Sequence, residues 1–305
     1  MDRANQSSGE APGDAASSDA AELDALAGRA AAQMSAENFP VALRVLPAGP
    51  REHLAKLYAY ARFVDDVGDE ADGDRLALLD LIEADVRRLD SGFPRIAPVR
   101  GLVDTVAATG MPLSVLLDLV EANRVDQRVT GYETFEDLLA YCQLSAAPIG
   151  RAVLYIAGAA TPANLADSDA VCAALQVLEH CQDVGEDHAV GRTYLPGRDL
   201  RAAGVLEAEL DYTIASAALR GVVATQVERS VELLAQGRPL VGRLRGWARF
   251  AVAGYVAGGL ATARALRRHD FEVLAQAVRP SPAATVAAAT QLLLVSVRRP
   301  WAGSR

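Results

Sequence analysis

Apolar residues recur at three- and four-residue spacing from Ala21 onward and almost nowhere alternate with polar ones. That period places side chains on one face of an α-helix, whereas a half-buried strand needs a period of two. In the stretch 75–89 the apolar residues form one such face, made of Leu78, Leu79, Ile82, Val86 and Leu89. The pattern therefore predicts an all-α protein.

Proline and glycine mark the ends of the predicted helices. The segments between these breaks predict helices over 51–67, 75–89, 100–108, 112–128, 134–157, 163–188, 207–236, 239–268 and 282–297. No repeat of solenoid period and no long linker divides the series. We predict one helical domain over 21–298, preceded by a disordered, polar leader at 1–20 and followed by a tail at 299–305.

Composition excludes several classes of protein. A formal charge of −9 and a single lysine, Lys56, argue against a nucleic-acid partner. The 3 cysteines lack CxxC spacing and the 4 histidines lack an HExxH pattern, so neither a disulfide framework nor a zinc site is predicted. The N-terminus has no charged-then-apolar order typical of a signal peptide, which favours a cytoplasmic protein.

Two apolar segments require comparison with membrane spans. The segment 250–263 is short and interrupted by glycine, and the segment 283–297 falls short of the roughly 20 residues that a spanning helix needs. Both are predicted to be core helices. Peripheral contact of the last helix with the inner face of the cell membrane stays open as an alternative.

The first group of residues with chemical potential lies on the first predicted helix. Asp65 and Asp69 are four residues apart, which is about 400° of helical rotation, so they lie within about 40° of one another, and Asp66 is beside them. Arg62 and Tyr58 continue this face one and two turns earlier, respectively. Like charges one turn apart repel, and Mg²⁺ would remove the repulsion while binding phosphate oxygens. The alternative is a solvated acidic helix end.

A second acidic stripe follows later in the chain. Gln176, Glu179, Asp183 and Asp187 are spaced by three, four and four residues, which predicts one face of one helix. Arg192 follows, and its planar guanidinium suits bidentate binding of phosphate. We predict that the two stripes face each other across a helical bundle and hold a metal cluster.

Together the two segments resemble the two signatures of the squalene/phytoene synthase family. The patterns are Tyr-x-x-x-Arg-x-x-Asp-Asp-x-x-Asp at 58–69 and, at 176–196, a Gln, two Asp and Arg-x-Tyr-Leu-Pro at the family spacing. The likeness covers about 33–270. It implies an isoprenoid-synthase-like helical bundle with a central prenyl-binding cavity.

The resemblance also implies roles for individual residues. Mg²⁺, or alternatively Mn²⁺, would bind with the diphosphate at Asp65, Asp66, Asp69, Glu179, Asp183 and Asp187. Catalytic roles would fall to Tyr58, Arg62, Asp65, Asp69, Asp183 and Asp187. The residues that would line the substrate site are Phe39, Tyr141, Gln176, Gln182, Arg192 and Tyr194.

Two departures from the family pattern narrow the resemblance. Much of the family has Asn where this chain has Glu179, and Arg where it has Gln182. The second change removes a charged contact to diphosphate, which contributes roughly 1.5–3 kcal/mol where buried. Glu-His-x-Gln-Asp at 179–183 and the segment 37–42 instead resemble the branch of bacterial hopanoid biosynthesis that converts presqualene diphosphate to hydroxysqualene without NADPH.

That branch implies Mg²⁺-dependent ionisation of presqualene diphosphate and capture of the rearranged cation by water. One alternative is a head-to-head synthase that condenses two prenyl diphosphates to squalene, presqualene diphosphate or phytoene. An alternative of another class is a non-catalytic helical partner with a degenerate site. The resemblance also implies handoff from a presqualene diphosphate synthase and to a flavin-dependent hydroxysqualene reductase.

Overall fold

A computed structural model describes residues 19, 22–29, 46–275 and 278–281 of the chain. The described residues form helices and loops without strands, and one isolated bridge pairs Gly131 with Thr193. The prediction of an all-α protein is confirmed. The predictions for Phe39, the helix 282–297, the tail 299–305 and almost all of the leader 1–20 concern residues outside this description.

The helices follow one another along the chain with short connections. Besides a helical segment at 22–29, they are α1 (Ala48–Glu70), α2 (Arg75–Val86), α3 (Ala97–Arg100), α4 (Val103–Thr109), α5 (Ser114–Asp126), α6 (Phe135–Ser145), α7 (Ala147–Ile156), α8 (Pro162–Gln182), α9 (Val184–Ala189), α10 (Gly197–Ala202), α11 (Ala217–Gly237), α12 (Pro239–Arg243) and α13 (Gly246–Arg268). Two 3₁₀ helices, Arg87–Ser91 and Glu207–Asp211, complete the set. The residues group into two compact units, one ending at Ala108 and one beginning at Thr109.

The N-terminal unit is built on α1, which buries one apolar face. That face consists of Leu54, Leu57, Tyr60, Phe63, Val64 and Val67. The turn after α1 is fixed by polar contacts, because the Asp74 side chain accepts a hydrogen bond of 3.1 Å from the backbone N–H of Ala77 and so caps α2. Glu22 accepts a bond of 2.7 Å from the N–H of Asp72, which ties the segment 22–29 to this turn.

The C-terminal unit is built around α8, which packs against α6, α7, α11 and α13. Its core is apolar and continuous, and includes Val171, Ala174 and Val177 of α8. The contact between α8 and α11 is close because Gly237 has no side chain. A Cβ atom there would lie 2.5 Å from the carbonyl oxygen of Asp167. This packing fixes the positions of the polar residues at the C-terminal end of α8.

Several predicted helices are interrupted, so their single ranges were wrong. The ranges 100–108, 134–157, 163–188, 207–236 and 239–268 break at 101–102, Ala146, Asp183, 212–216 and 244–245, respectively. The break at Ala146 has a local cause, because Pro148 in the first turn of α7 lacks an N–H and cannot continue α6. No helix in the described part of the chain is long and apolar enough to cross a bilayer, and 250–263 lies within α13.

Candidate active site

The first acidic stripe lies at the C-terminal end of α1. Asp65 and Asp69 are exposed one turn apart, whereas Asp66 is only 2% exposed. Arg62 is half-buried, and its Nε lies 2.8 Å from Asp66 Oδ1. Burial raises the pKa of Asp66, while the charge of Arg62 lowers it. The second oxygen, Asp66 Oδ2, is buried and has no hydrogen-bond partner among the described residues, which suits a cation ligand.

The second acidic stripe does not lie on one helix, so that prediction was wrong. α8 ends at Gln182, and Asp183 has φ −107° and ψ 19°, outside the α-helical range. The hydrogen-bond ladder nevertheless continues, since the N–H of Asp183 donates to the Glu179 carbonyl at 3.0 Å and the N–H of Asp187 to the Asp183 carbonyl at 2.7 Å. The break therefore redirects α9 without leaving these backbone groups unpaired.

Carboxylates crowd around this break. The pKa of Asp183 is raised, first by burial and then by the negative charges of Glu186, Glu179 and Asp187, with Arg279 opposing them. A divalent cation would relieve the repulsion. The stripe on α1 belongs to the N-terminal unit and this one to the C-terminal unit, so their facing each other stays a prediction.

Aromatic rings gather beside the second stripe. Tyr132, Tyr141 and Tyr194 have ring centroids 5.3–6.1 Å apart, and His180 stacks on Tyr194 with centroids 3.6 Å apart. Burial raises the pKa of Tyr194 to about 12, although the positive charge of Arg192 lowers it. The backbone N–H of Arg192 donates to the Asp187 carbonyl at 2.9 Å, which places this arginine next to the acidic end of α9.

The two predicted substrate-binding glutamines line different cavities. Gln176 and Glu179 line a mainly apolar cavity of about 250 Å³ between α7, α8 and α13. The other lining residues are Ser145, Ala146, Ile149, Gly150, Val153, Ser168, Val171, Cys172, Leu175, Leu240, Val252 and Tyr255. Gln182 instead lines a cavity of about 450 Å³ near His188, and its amide donates to the carbonyl of Val278.

The fit of this chain to Mg²⁺ rests on the chemistry of its donors. No cluster of three or more His, Cys, Asp or Glu side chains is preformed among the described residues. Mg²⁺ does not need one, because it keeps several waters and binds through one or two carboxylates together with substrate phosphates. The orphan oxygen of Asp66 and the crowding around Asp183 supply hard oxygen ligands of the required kind.

Comparison with known proteins decides the family. The model of the squalene/phytoene synthase family matches residues 32–284. The chain belongs to this family.

A hydroxysqualene synthase from Rhodopseudomonas palustris is 36% identical over 213 residues, which is 68% of this chain and 72% of that protein. A presqualene diphosphate synthase from the same organism is 28% identical over 211 residues, 68% of this chain and 75% of that protein.

A solved structure gives the same family assignment. The crystal structure of squalene synthase HpnC from Alicyclobacillus acidocaldarius has a TM-score of 0.76 and 37% identity, covering 82% of this chain and 96% of that one. The predicted isoprenoid-synthase fold of the squalene/phytoene synthases is therefore confirmed. Assignment of individual residues to the site stays a prediction, and for Phe39 it lies outside the described residues.

Three residues near the predicted site were not predicted to take part in it. Asp126 accepts a hydrogen bond of 2.8 Å from the Tyr141 hydroxyl, Tyr132 joins the aromatic cluster, and His180 contacts both Gln176 and Asp187. The four-residue spacing of Gln176 and His180 was a usable signal. The contacts of Asp126 and Tyr132 depend on how α5, α6 and the loop at 131–134 pack together. Residue spacing in the sequence does not predict this packing.

Proposed function

We propose that this protein is a hydroxysqualene synthase, which converts presqualene diphosphate and water to hydroxysqualene and diphosphate. The observation that carries the proposal is a comparison within one organism. Over equal shares of this chain, identity is 36% to the hydroxysqualene synthase of R. palustris and 28% to its presqualene diphosphate synthase. The sequence is thus more similar to the enzyme that makes hydroxysqualene than to the enzyme that makes presqualene diphosphate.

The cavity between α7, α8 and α13, at about 250 Å³, suits part of the prenyl substrate. Its lining is mainly apolar, while Gln176 and Glu179 provide a polar edge on α8. An apolar pocket limits premature quenching of a carbocation by solvent. A polar edge on α8, the helix that ends immediately before Asp183, would place the diphosphate end of the substrate near Asp183.

Ionisation requires stabilisation of the departing diphosphate. Mg²⁺ held by the aspartates of the two stripes would neutralise the charge that develops on this group. Arg192 would bind diphosphate oxygens through its planar guanidinium. Arg62 would hold Asp66 in place, since the two side chains already form an ion pair of 2.8 Å.

The cation left behind would rearrange in the apolar cavity, whose lining includes Tyr255. The face of an aromatic ring carries negative electrostatic potential and attracts a cation. Water then adds its oxygen to the cation and releases one proton. No reductant is consumed, which agrees with the expectation that NADPH is not needed.

A head-to-head synthase is the second candidate, because the solved relative at 37% identity is called a squalene synthase. Gln182 argues against a site for two diphosphates. Its amide donates to the Val278 carbonyl, so this position supplies neither the family arginine nor an unengaged amide. A non-catalytic helical partner is the candidate of another class, and failure to bind magnesium diphosphate would support it.

Purified protein incubated with Mg²⁺ and presqualene diphosphate, and separately with farnesyl diphosphate, tests the proposal. NADPH is left out, EDTA replaces Mg²⁺ in the control, and lipid products are identified by mass spectrometry. Hydroxysqualene formed from presqualene diphosphate alone is the expected result. Consumption of farnesyl diphosphate would move the protein to the condensing enzymes, and inertness toward both substrates would favour a non-catalytic role.

Hydroxysqualene synthesis also carries expectations about partners. The substrate would come from a presqualene diphosphate synthase, and a flavin-dependent reductase would consume the product. Substrate and product both carry a long apolar hydrocarbon, so we further propose peripheral contact with a membrane during handoff. A vesicle flotation assay with and without presqualene diphosphate would test this contact.

A further inference from the structure

His180 connects the end of α8 to α9 and to the aromatic cluster. Its side chain is 8% exposed, and its ring stacks on Tyr194 with an angle of 11° between the planes. One ring nitrogen, Nε2, lies 3.1 Å from Nε2 of Gln176, and the other, Nδ1, lies 3.5 Å from Oδ2 of Asp187. A single buried ring thus contacts three of the predicted site residues.

With the Gln176 amide oriented as in the structure, its contact with His180 favours a proton on the other ring nitrogen. The amide Nε2 of Gln176 can only donate, so the ring nitrogen facing it accepts. A neutral imidazole that accepts at Nε2 has its N–H at Nδ1. That N–H faces Asp187 Oδ2 at 3.5 Å, an ionic contact rather than a hydrogen bond, and this buried oxygen has no hydrogen-bond partner in the described part of the chain.

The interruption at Asp183 explains why Asp187 needs such a partner. In a continuous helix the backbone would fix the direction of Asp187 relative to α8. Because Asp183 leaves the helical conformation, α9 does not continue the helix of α8. His180 spans the break, since it sits on α8 and faces a carboxylate of α9.

We propose that His180 is a positioning residue, which orients the Asp187 carboxylate for Mg²⁺ and diphosphate while its ring is held between Gln176 and Tyr194. The inference rests on the proposed function in so far as magnesium diphosphate is the ligand. Removal of a hydrogen-bond partner that orients a metal ligand typically lowers metal affinity about 10–100-fold. The loss is expected to be specific to the donor at Nδ1.

Two substitutions separate the role of the Nδ1 donor from the role of the ring. His180→Phe keeps an aromatic ring over Tyr194 and removes both nitrogens. His180→Asn removes the ring, while its side-chain amide keeps a donor close to the position of Nδ1. His188→Phe is the matched control, because His188 is on the same short helix as Asp187 but bonds Asp211 at 3.0 Å.

Isothermal titration calorimetry of the full chain with inorganic diphosphate in excess Mg²⁺ measures binding without turnover. We expect affinity to fall about tenfold or more in His180→Phe. The affinities of His180→Asn and His188→Phe should stay within about threefold of wild type. Thermal unfolding confirms that the variants are folded.

An affinity of His180→Phe equal to that of wild type would overturn the inference, and so would an equal loss in His180→Asn. If His180→Phe does not fold, His180→Asn decides alone, with retained affinity supporting the role of the donor and lost affinity overturning it. Wild-type binding of magnesium diphosphate without formation of hydroxysqualene would reject the proposed function but not the role of His180.

Discussion

The Tyr141 hydroxyl donates a hydrogen bond of 2.8 Å to Oδ2 of Asp126, which lies 15 residues earlier in the chain. Tyr141 is 7% exposed, so this phenol enters the interior with a charged acceptor. The bond joins the C-terminal residue of α5 to α6 and fixes one ring of the aromatic cluster. Its energetic contribution can be measured without substrate.

Replacement of Tyr141 by Phe should destabilise the protein by roughly 1.5–3 kcal/mol, because hydrogen bonds to charged groups contribute about that much. Urea-induced unfolding followed by circular dichroism measures the change. Tyr212→Phe is the control, since Tyr212 is 57% exposed. Equal midpoints for Tyr141→Phe and Tyr212→Phe would show that the bond to Asp126 adds nothing to stability.

The carboxylates at the two stripes should be required for turnover. Asp65→Ala and Asp183→Ala are expected to lower Mg²⁺-dependent diphosphate release from presqualene diphosphate at least about a hundredfold, because each removes stabilisation of the departing group. A colorimetric diphosphate assay measures the rate. Glu136→Ala removes an exposed carboxylate from α6 and should leave the rate unchanged. Near-normal release in both aspartate variants would remove these residues from the mechanism.

The helical spacing of the acidic residues predicted part of this site. The face shared by Asp65 and Asp69 follows from a four-residue spacing on an unbroken helix, and α1 runs through it to Glu70. The same argument failed at Asp183, where no proline marks the break in the helix and the nearest glycine, Gly185, lies within α9. Backbone conformation there depends on tertiary packing, which a spacing rule does not include.

The fold class was predictable because the helical period recurs along the chain. The ends of the helices and the contacts between them were less predictable. Pro148 marked the start of α7, yet the surrounding small residues were assigned to one long helix. Asp126 carries no sequence signature of its own, and His180 is marked only by its four-residue spacing from Gln176 and by its place in the segment 179–183. Their roles emerge only where separate helices bring Asp187 and Tyr141 next to them.

Asp183 should make stability depend on pH. Its folded pKa is raised above the unfolded value of 3.8 by burial and by neighbouring carboxylates. Between these two pKa values the native state holds more protons than the unfolded state, so the free energy of unfolding falls as pH rises through that window. The destabilisation caused by ionised Asp183 is present in full above the folded pKa and absent below about pH 3.8.

Asp183→Asn removes this titration, so the stability of the variant relative to wild type should increase as pH rises from about 4 and then level off. Thermal unfolding of both proteins in EDTA between pH 4 and pH 8 measures the difference. Saturating magnesium diphosphate at pH 7 should reduce this stability difference, because the ligand stabilises wild type more than it stabilises Asp183→Asn. A difference that stays constant across the whole range would contradict a raised pKa at Asp183.

Gly150 places the tightest demand on the wall of the apolar cavity. It lies on α7, and a Cβ atom there would sit 2.5 Å from both Cys172 Sγ and Ser168 Oγ of α8. Gly150→Ala should therefore destabilise the protein by about 1–3 kcal/mol through overpacking. Where space allows, replacing glycine by alanine inside a helix instead stabilises the protein by roughly 0.5–1 kcal/mol. Gly221→Ala on α11 should show that gain, because nothing lies within 4 Å of its Cβ position.

The two alanine substitutions together test whether this cavity receives the prenyl chain. Gly150, Ser168 and Cys172 all line it, so displacement of α7 from α8 should lower turnover of presqualene diphosphate while leaving the affinity for magnesium diphosphate unchanged. Gly221→Ala, which is remote from the lining, should change neither. Turnover measured by mass spectrometry and affinity measured by calorimetry separate the two effects. Equal loss of both in Gly150→Ala would indicate general unfolding of the site, and unchanged turnover would place the prenyl chain elsewhere.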